Sequence, residues 1–180
     1  MCLAGGRRPP DAETPHGTSS RRDAWNFTRD RNTKRTPMTF KAVVFDLDGT
    51  LIDSLEDIAV AMNHVLRDRG FAVHPIDDYR MFVGNGVARL VERTLPADVD
   101  DTVRQQCADG FREVYRDACN VKTCVYDGVP AMLRSLTDRG VSLTVLSNKP
   151  HAFTVACVEH HLSRFEFAAV LGQRDGIPHK

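Results

Sequence analysis

The alternation of apolar and polar positions first becomes regular at Ala42. Residues 42–45, AVVF, form a short unbroken apolar run with β-branched members, the pattern of a parallel strand buried on both faces. Leu55, Ile58, Ala59, Met62, Val65 and Leu66 then fall on one helical face, with Ser54 three residues before Asp57 as a capping-box-like start and Gly70 as a stop. Val87, Leu90, Val91 and Leu95 mark a second helical stretch, and Val99, Val103, Phe111, Val114, Tyr115 and Ala118 a longer third. Residues 53–125 thus read as helical throughout.

The pattern changes at YDGVPAMLRSLTDRG, where Pro130 suits a first helical turn and Gly140 its end. VSLTVLSN is a second buried strand that opens onto Ser147 and Asn148. A helix led by Pro150 follows, and FAAVLG is a third strand ending at Gly172. This order predicts an α/β fold, a parallel sheet with a helical domain inserted just after the first strand. The predicted core is residues 38–52 and 126–180, and the insertion residues 53–125. Residues 1–37 lack apolar periodicity and are expected to be disordered, because they cannot bury enough surface to offset ordering entropy.

Composition changes the picture in three ways. With 42% apolar residues the chain can bury a core, so it is neither a disordered nor a membrane chain. Charge cancels unevenly: residues 1–37 hold eight basic and four acidic side chains, leaving 16 basic and 20 acidic in the remainder, which offers no basic face for nucleic acid. Five cysteines with no CxxC and no histidine at a zinc spacing favour reduced thiols over a disulfide or metal framework. No apolar run is long enough for a signal peptide or a membrane span, which points to a soluble cytoplasmic protein. Three readings of residues 1–37 compete: a basic tail that touches nucleic acid, an Arg-rich targeting peptide, or a start assigned too far upstream. Met38, directly ahead of the first strand, favours the last.

In open parallel sheets the reactive groups gather beyond the carboxyl ends of the strands. Asp46 and Asp48 sit there after the first strand, Ser147 and Asn148 after the second, and Lys180 in the loop after the third. A carboxylate is already ionised at neutral pH and can attack phosphorus without a general base. It is repelled by a phosphate dianion, so the site needs a divalent cation and a fixed ammonium. Asp46 as nucleophile and metal ligand, Ser147 as donor to a phosphoryl oxygen, and Lys180 as ammonium meet that need. Asp48 would protonate the leaving oxygen and then activate water. Gly49 lets the backbone turn tightly, leaving N–H groups to face phosphate. Taken singly, D-x-D-G is a calcium loop or a turn, Ser147–Asn148 an ordinary turn and Lys180 a solvated lysine; their order after successive strands favours phosphoryl chemistry.

DLDGTLIDS, LSNKP and GIPHK resemble the first three motifs of the haloacid dehalogenase superfamily of phosphohydrolases, and the helical insertion resembles that superfamily's cap. RMFVGNGVARLVERTL and VLSNKPHAFTVACVEHHL are similar to phosphoglycolate phosphatases, and the likeness covers residues 40–180. The resemblance implies a Rossmann-like core and makes Asp46 the nucleophile and Asp48 the acid/base. Mg²⁺ would be held by the Asp46 side chain and the Asp48 backbone carbonyl, with Ser147 and Lys180 on the transferring phosphoryl group. The implied substrate is a small phosphorylated metabolite, 2-phosphoglycolate first, with a phosphosugar phosphatase or mutase as the alternative. Gly49, Thr50 and Asn148 are expected at the substrate. Gly84, Asn85 and Gly86 form either a flexible loop near the leaving group or only a break between two helices. Arg89 is weighed as a partner for a substrate carboxylate and assigned instead to a solvated helix face.

The superfamily's fourth, acidic motif has no counterpart after Lys180, and GQRDG precedes that lysine. Asp46 is then expected to hold its metal with one carboxylate where the superfamily uses at least two. The family's later strands lie beyond the first strand, so the chain is expected to be a truncated form whose AVVF edge is exposed and open to self-association. A form without turnover that only binds phosphate is the reading from another class.

Overall fold

The computed structural model describes residues 40–174, 176–178 and 180. The expectation of disorder for residues 1–37, and the readings built on Met38, lie outside the described residues. Strand β1 (Ala42–Phe45) leads through β2 (Ile52–Asp53) into α1 (Leu55–Asp68), a 3-10 turn at Ile76–Asp78, α2 (Tyr79–Phe82), α3 (Val87–Thr94) and α4 (Asp101–Ala118). The chain returns through β3 (Cys124–Val125) to α5 (Val129–Asp138), β4 (Ser142–Pro150), α6 (His151–Leu162) and β5 (Ala169–Gln173). The expected α/β order is therefore present, with the helices of the insertion between the first and second strands of the parallel sheet.

That sheet has the order β1-β4-β5, with both pairings parallel. Val43 and Phe45 pair with Leu143 and Val145 and share their face, where α5 and α6 supply Val129, Leu133, Cys157, Val158 and Leu162 to one apolar cluster. On the opposite face Val44 and Leu171 are exposed, and Thr144, Leu146 and Ala169 are partly buried. Val44 is 61% exposed, which corrects the expectation of a strand buried on both faces: β1 is an edge strand, and no described helix covers its outer side. A second apolar cluster joins α1, α2, α3 and α4 through Ile58, Met62, Tyr79, Leu90, Phe111 and Tyr115, among others. Phe153 of α6 packs against this second cluster.

Helix ends follow the sequence closely in two cases and depart from it in a third. The N–H groups of Gly70 and Phe71 bond back to Arg67 and Leu66, and those of Gly140 and Val141 to Thr137 and Leu136, closing α1 and α5 in the same motif. The capping box expected at Ser54 and Asp57 does not form. Ser54 makes no side-chain cap, because its hydroxyl is committed to Asp48. The Asp57 carboxylate instead accepts from the N–H groups of Val121, Lys122 and Thr123 and from the Thr123 hydroxyl. The insertion is also not helical throughout: β2 and β3 pair antiparallel, Ile52 with Val125 and Asp53 with Cys124, where the chain leaves and re-enters the core. Cys107, Cys119 and Cys157 are free thiols. No helix among the described residues is long and apolar enough to cross a membrane.

Candidate active site

The carboxyl ends of β1 and β4 bring the predicted residues together. Asp46 and Asp48 follow β1 directly, and Asp46 accepts at Oδ1 from the Leu47 N–H at 2.7 Å and from Lys180 Nζ at 2.6 Å. Lys180 is therefore not a merely solvated lysine. Its Nζ also donates to the Leu146 carbonyl, and its backbone N–H donates to Asn148 Oδ1 at 3.0 Å, so Asn148 helps to seat the ammonium. The Ser147 hydroxyl is buried and accepts from the Lys149 N–H at 3.2 Å, which leaves its proton available to an incoming anion.

A cavity of about 150 Å³ opens over these groups. Asp46, Asp48, Ser147, Asn148 and Lys149 line its strand end; Ile58, Leu90, Phe111, Tyr115 and Phe153 line much of the other. Gly84, Asn85 and Gly86 complete the wall. Their φ values of 120°, 62° and 86° carry the chain through the left-handed region at three successive positions, which glycine adopts readily and asparagine more readily than most residues. The segment thus lines the cavity as well as breaking the helix before α3. Arg89 lies outside it, exposed and paired with Glu92, as a solvated helix face requires.

Gly49 and Thr50 are not brought into this cavity. Gly49 does turn the backbone at φ 76°, but its N–H donates to Ile52 O and that of Thr50 to Leu47 O. The tight turn consumes the donors expected to face phosphate, and the Thr50 side is exposed.

Lys149 is the residue that motif reading missed. It is 7% exposed, and its Nζ donates to Asp48 Oδ1 at 2.8 Å and to the Tyr115 hydroxyl at 2.7 Å. Burial alone would push this ammonium down. The Asp48 carboxylate outweighs it and holds Lys149 above the ordinary lysine range. Burial pushes the Tyr115 hydroxyl up, so it stays neutral and hydrogen-bonded. The strand's alternation would have revealed Lys149: Leu143, Val145, Ser147 and Lys149 are all buried at period two along β4.

The donor set suits a hard cation. The Asp46 carboxylate and the Asp48 backbone carbonyl are oxygen ligands of the type Mg²⁺ takes when water and phosphate oxygens fill its remaining positions. Among the described residues no group of three or more His, Cys, Asp or Glu could hold a metal on side chains alone.

Known proteins resemble this chain in sequence and in fold. The sequence pattern of the haloacid dehalogenase-like hydrolases matches residues 40–178. A phosphoglycolate phosphatase of Pseudomonas putida is 36% identical over 145 residues, covering 78% of this chain and 53% of that protein. A solved structure from Lactobacillus delbrueckii subsp. bulgaricus matches with a TM-score of 0.74 at 28% identity, over 79% of this chain and 69% of the other. One from Haemophilus somnus, described as a predicted phosphoglycolate phosphatase, matches with a TM-score of 0.68 at 27% identity, over 78% and 66%. The chain spans about half the length of the Pseudomonas relatives it matches.

Proposed function

The chain belongs to the haloacid dehalogenase-like hydrolase family, and on that premise we propose that it carries the reacting groups of a Mg²⁺-dependent phosphatase of small phosphorylated metabolites. The names of its relatives favour 2-phosphoglycolate, giving glycolate and phosphate. The observation that carries this reading is the meeting of Asp46, Asp48 and Ser147 in one small cavity, with Lys180 Nζ 2.6 Å from Asp46.

In the proposed reaction an Asp46 oxygen forms a bond to phosphorus as the bond to the leaving oxygen breaks, and Asp48 gives that oxygen a proton. Water then attacks the aspartyl-phosphate, passing a proton to Asp48, and the Asp46 carboxylate is released with phosphate. Ser147 donates to a phosphoryl oxygen, and Lys180 offsets the charge that would repel Asp46. Asp46 and the Asp48 carbonyl would hold Mg²⁺, which supplies further neutralisation of phosphate charge. The cavity is smaller than the usual range for drug-sized ligands, which favours a substrate of few heavy atoms.

The test is phosphate release from 2-phosphoglycolate by the 180-residue chain, with Mg²⁺ or with chelator, beside Asp46→Asn and a panel of sugar phosphates. The expected result is Mg²⁺-dependent turnover that Asp46→Asn lowers by about 10³-fold or more. Faster turnover of the sugar phosphates would replace the substrate. Equal rates in Asp46→Asn would remove the nucleophile, and phosphate binding without turnover would leave a binding fragment only.

A further inference from the structure

We propose that Lys149 is a positioning residue for phosphoryl transfer: by holding one oxygen of Asp48 it aims the other at the leaving group, and through Tyr115 it ties that aim to helix α4. The inference rests on the reading of Asp48 as the acid/base.

The geometry at Asp48 is one-sided. Lys149 Nζ at 2.8 Å and Ser54 Oγ at 2.6 Å both donate to Oδ1. No donor among the described residues is bonded to Oδ2. A carboxylate gripped twice at one oxygen loses its rotation about the Cβ–Cγ bond, and Asp48 lines the cavity where the leaving group would lie. Oδ2 is thus the oxygen left to exchange a proton with the leaving oxygen, and afterwards with water.

Lys149 in turn depends on α4. A lysine this deep is rare unless paired, and its second partner is the Tyr115 hydroxyl, with the Tyr115 ring centroid 4.8 Å from Nζ. Tyr115 is itself fixed, stacked on Phe111 at 5.2 Å and set edge-on to Phe153 at 5.2 Å. The ammonium has a defined position only while α4 is seated against α6. If α4 withdraws, Lys149 loses one of its two hydrogen bonds and the ring face, and its grip on Oδ1 slackens. Substrate enclosure and orientation of the proton donor are thereby coupled through one side chain.

The experiment compares Lys149→Met, Lys149→Arg and Tyr115→Phe on two esters, 2-phosphoglycolate and p-nitrophenyl phosphate, whose phenolate departs without a proton. In single turnover, transfer from 2-phosphoglycolate should fall about 10²-fold in Lys149→Met and about tenfold in Tyr115→Phe, with KM within about threefold. The loss with p-nitrophenyl phosphate should be about tenfold smaller, and Lys149→Arg should recover part of the rate. Equal losses on both esters would overturn the aiming role, since a generally disturbed site does not distinguish leaving groups. Amide hydrogen exchange gives a readout without turnover: Tyr115→Phe, which keeps the ring and tests the inference even if Lys149→Met does not fold, should speed exchange across Asp101–Ala118. Unchanged exchange there would overturn the link to α4. Absence of turnover in the parent chain would overturn the phosphatase reading and the aiming role with it, whereas an active parent with unaffected variants would overturn the aiming role alone.

Discussion

Asp57 holds the chain's return from the insertion with a single buried carboxylate, taking N–H donors from three successive residues and the hydroxyl of Thr123. Asp57→Ala strands several of these donors and should lower stability by about 2–4 kcal/mol, read as a fall in the urea midpoint; Asp57→Asn should recover part of it. Cys157 acts through pH. Burial, only partly opposed by Lys149, pushes its thiol from the ordinary 9.0 up to about 11. The unfolded chain ionises first, so the stability from this group is complete below pH 9.0 and is lost as pH rises towards about 11. Burial raises Cys107 and Cys119 as well, which steepens the decline. A urea series over this range should show midpoints falling with pH, and Cys157→Ala should flatten the slope. At this scale Asp46, Asp48 and Lys180 stand after strands, as the sequence places them, whereas Ser147 and Asn148 lie within β4 rather than after it. Lys149 was not legible, because polar residues after an apolar run read as a loop, whereas β4 continues to Pro150.

Elements were most legible where periodicity was long. The faces of α1 and α3 match the sequence expectation residue for residue apart from partly buried Leu55 and added Asp57, Ala61 and Thr94. The ribbon of β2 and β3 was not legible, since two residue pairs leave no periodic trace. Two glycines separate packing from propensity. A Cβ on Gly110, inside α4, would meet Val65 at ordinary contact distance, 3.5 Å. Gly110→Ala should therefore stabilise by up to about 1 kcal/mol through helix propensity, seen as a higher midpoint. A Cβ on Gly172 would lie 2.6 Å from both the Lys149 carbonyl and the His151 Cα, and closer still to the Thr154 hydroxyl. Backbone atoms cannot swing aside, so Gly172→Ala should cost about 1–3 kcal/mol and, by shifting Lys149, reduce turnover as well.

For the whole molecule, the exposed face and edge of β1 matter most. Phe40 and Val44 are 69% and 61% exposed, and an apolar edge that no strand covers among the described residues invites pairing with another strand. Light scattering by the 180-residue chain should rise with concentration, and Val44→Lys should suppress that rise without lowering the unfolding midpoint; unchanged scattering would place any association elsewhere. The parallel order of the sheet was legible from element sequence alone; for β1 the sequence carried two expectations, a strand buried on both faces and an exposed edge, and the exposure of Val44 favours the second.

The pairing of Ile52 with Val125 and of Asp53 with Cys124 brings the two ends of the helical insertion side by side in one short ribbon. Residues 54–123 thus form a unit bounded by one short ribbon, and that unit supplies the Ser54 hydroxyl to Asp48 and the Tyr115 hydroxyl to Lys149. Any replacement of this unit must therefore deliver two hydroxyls again, one to Asp48 and one to Lys149.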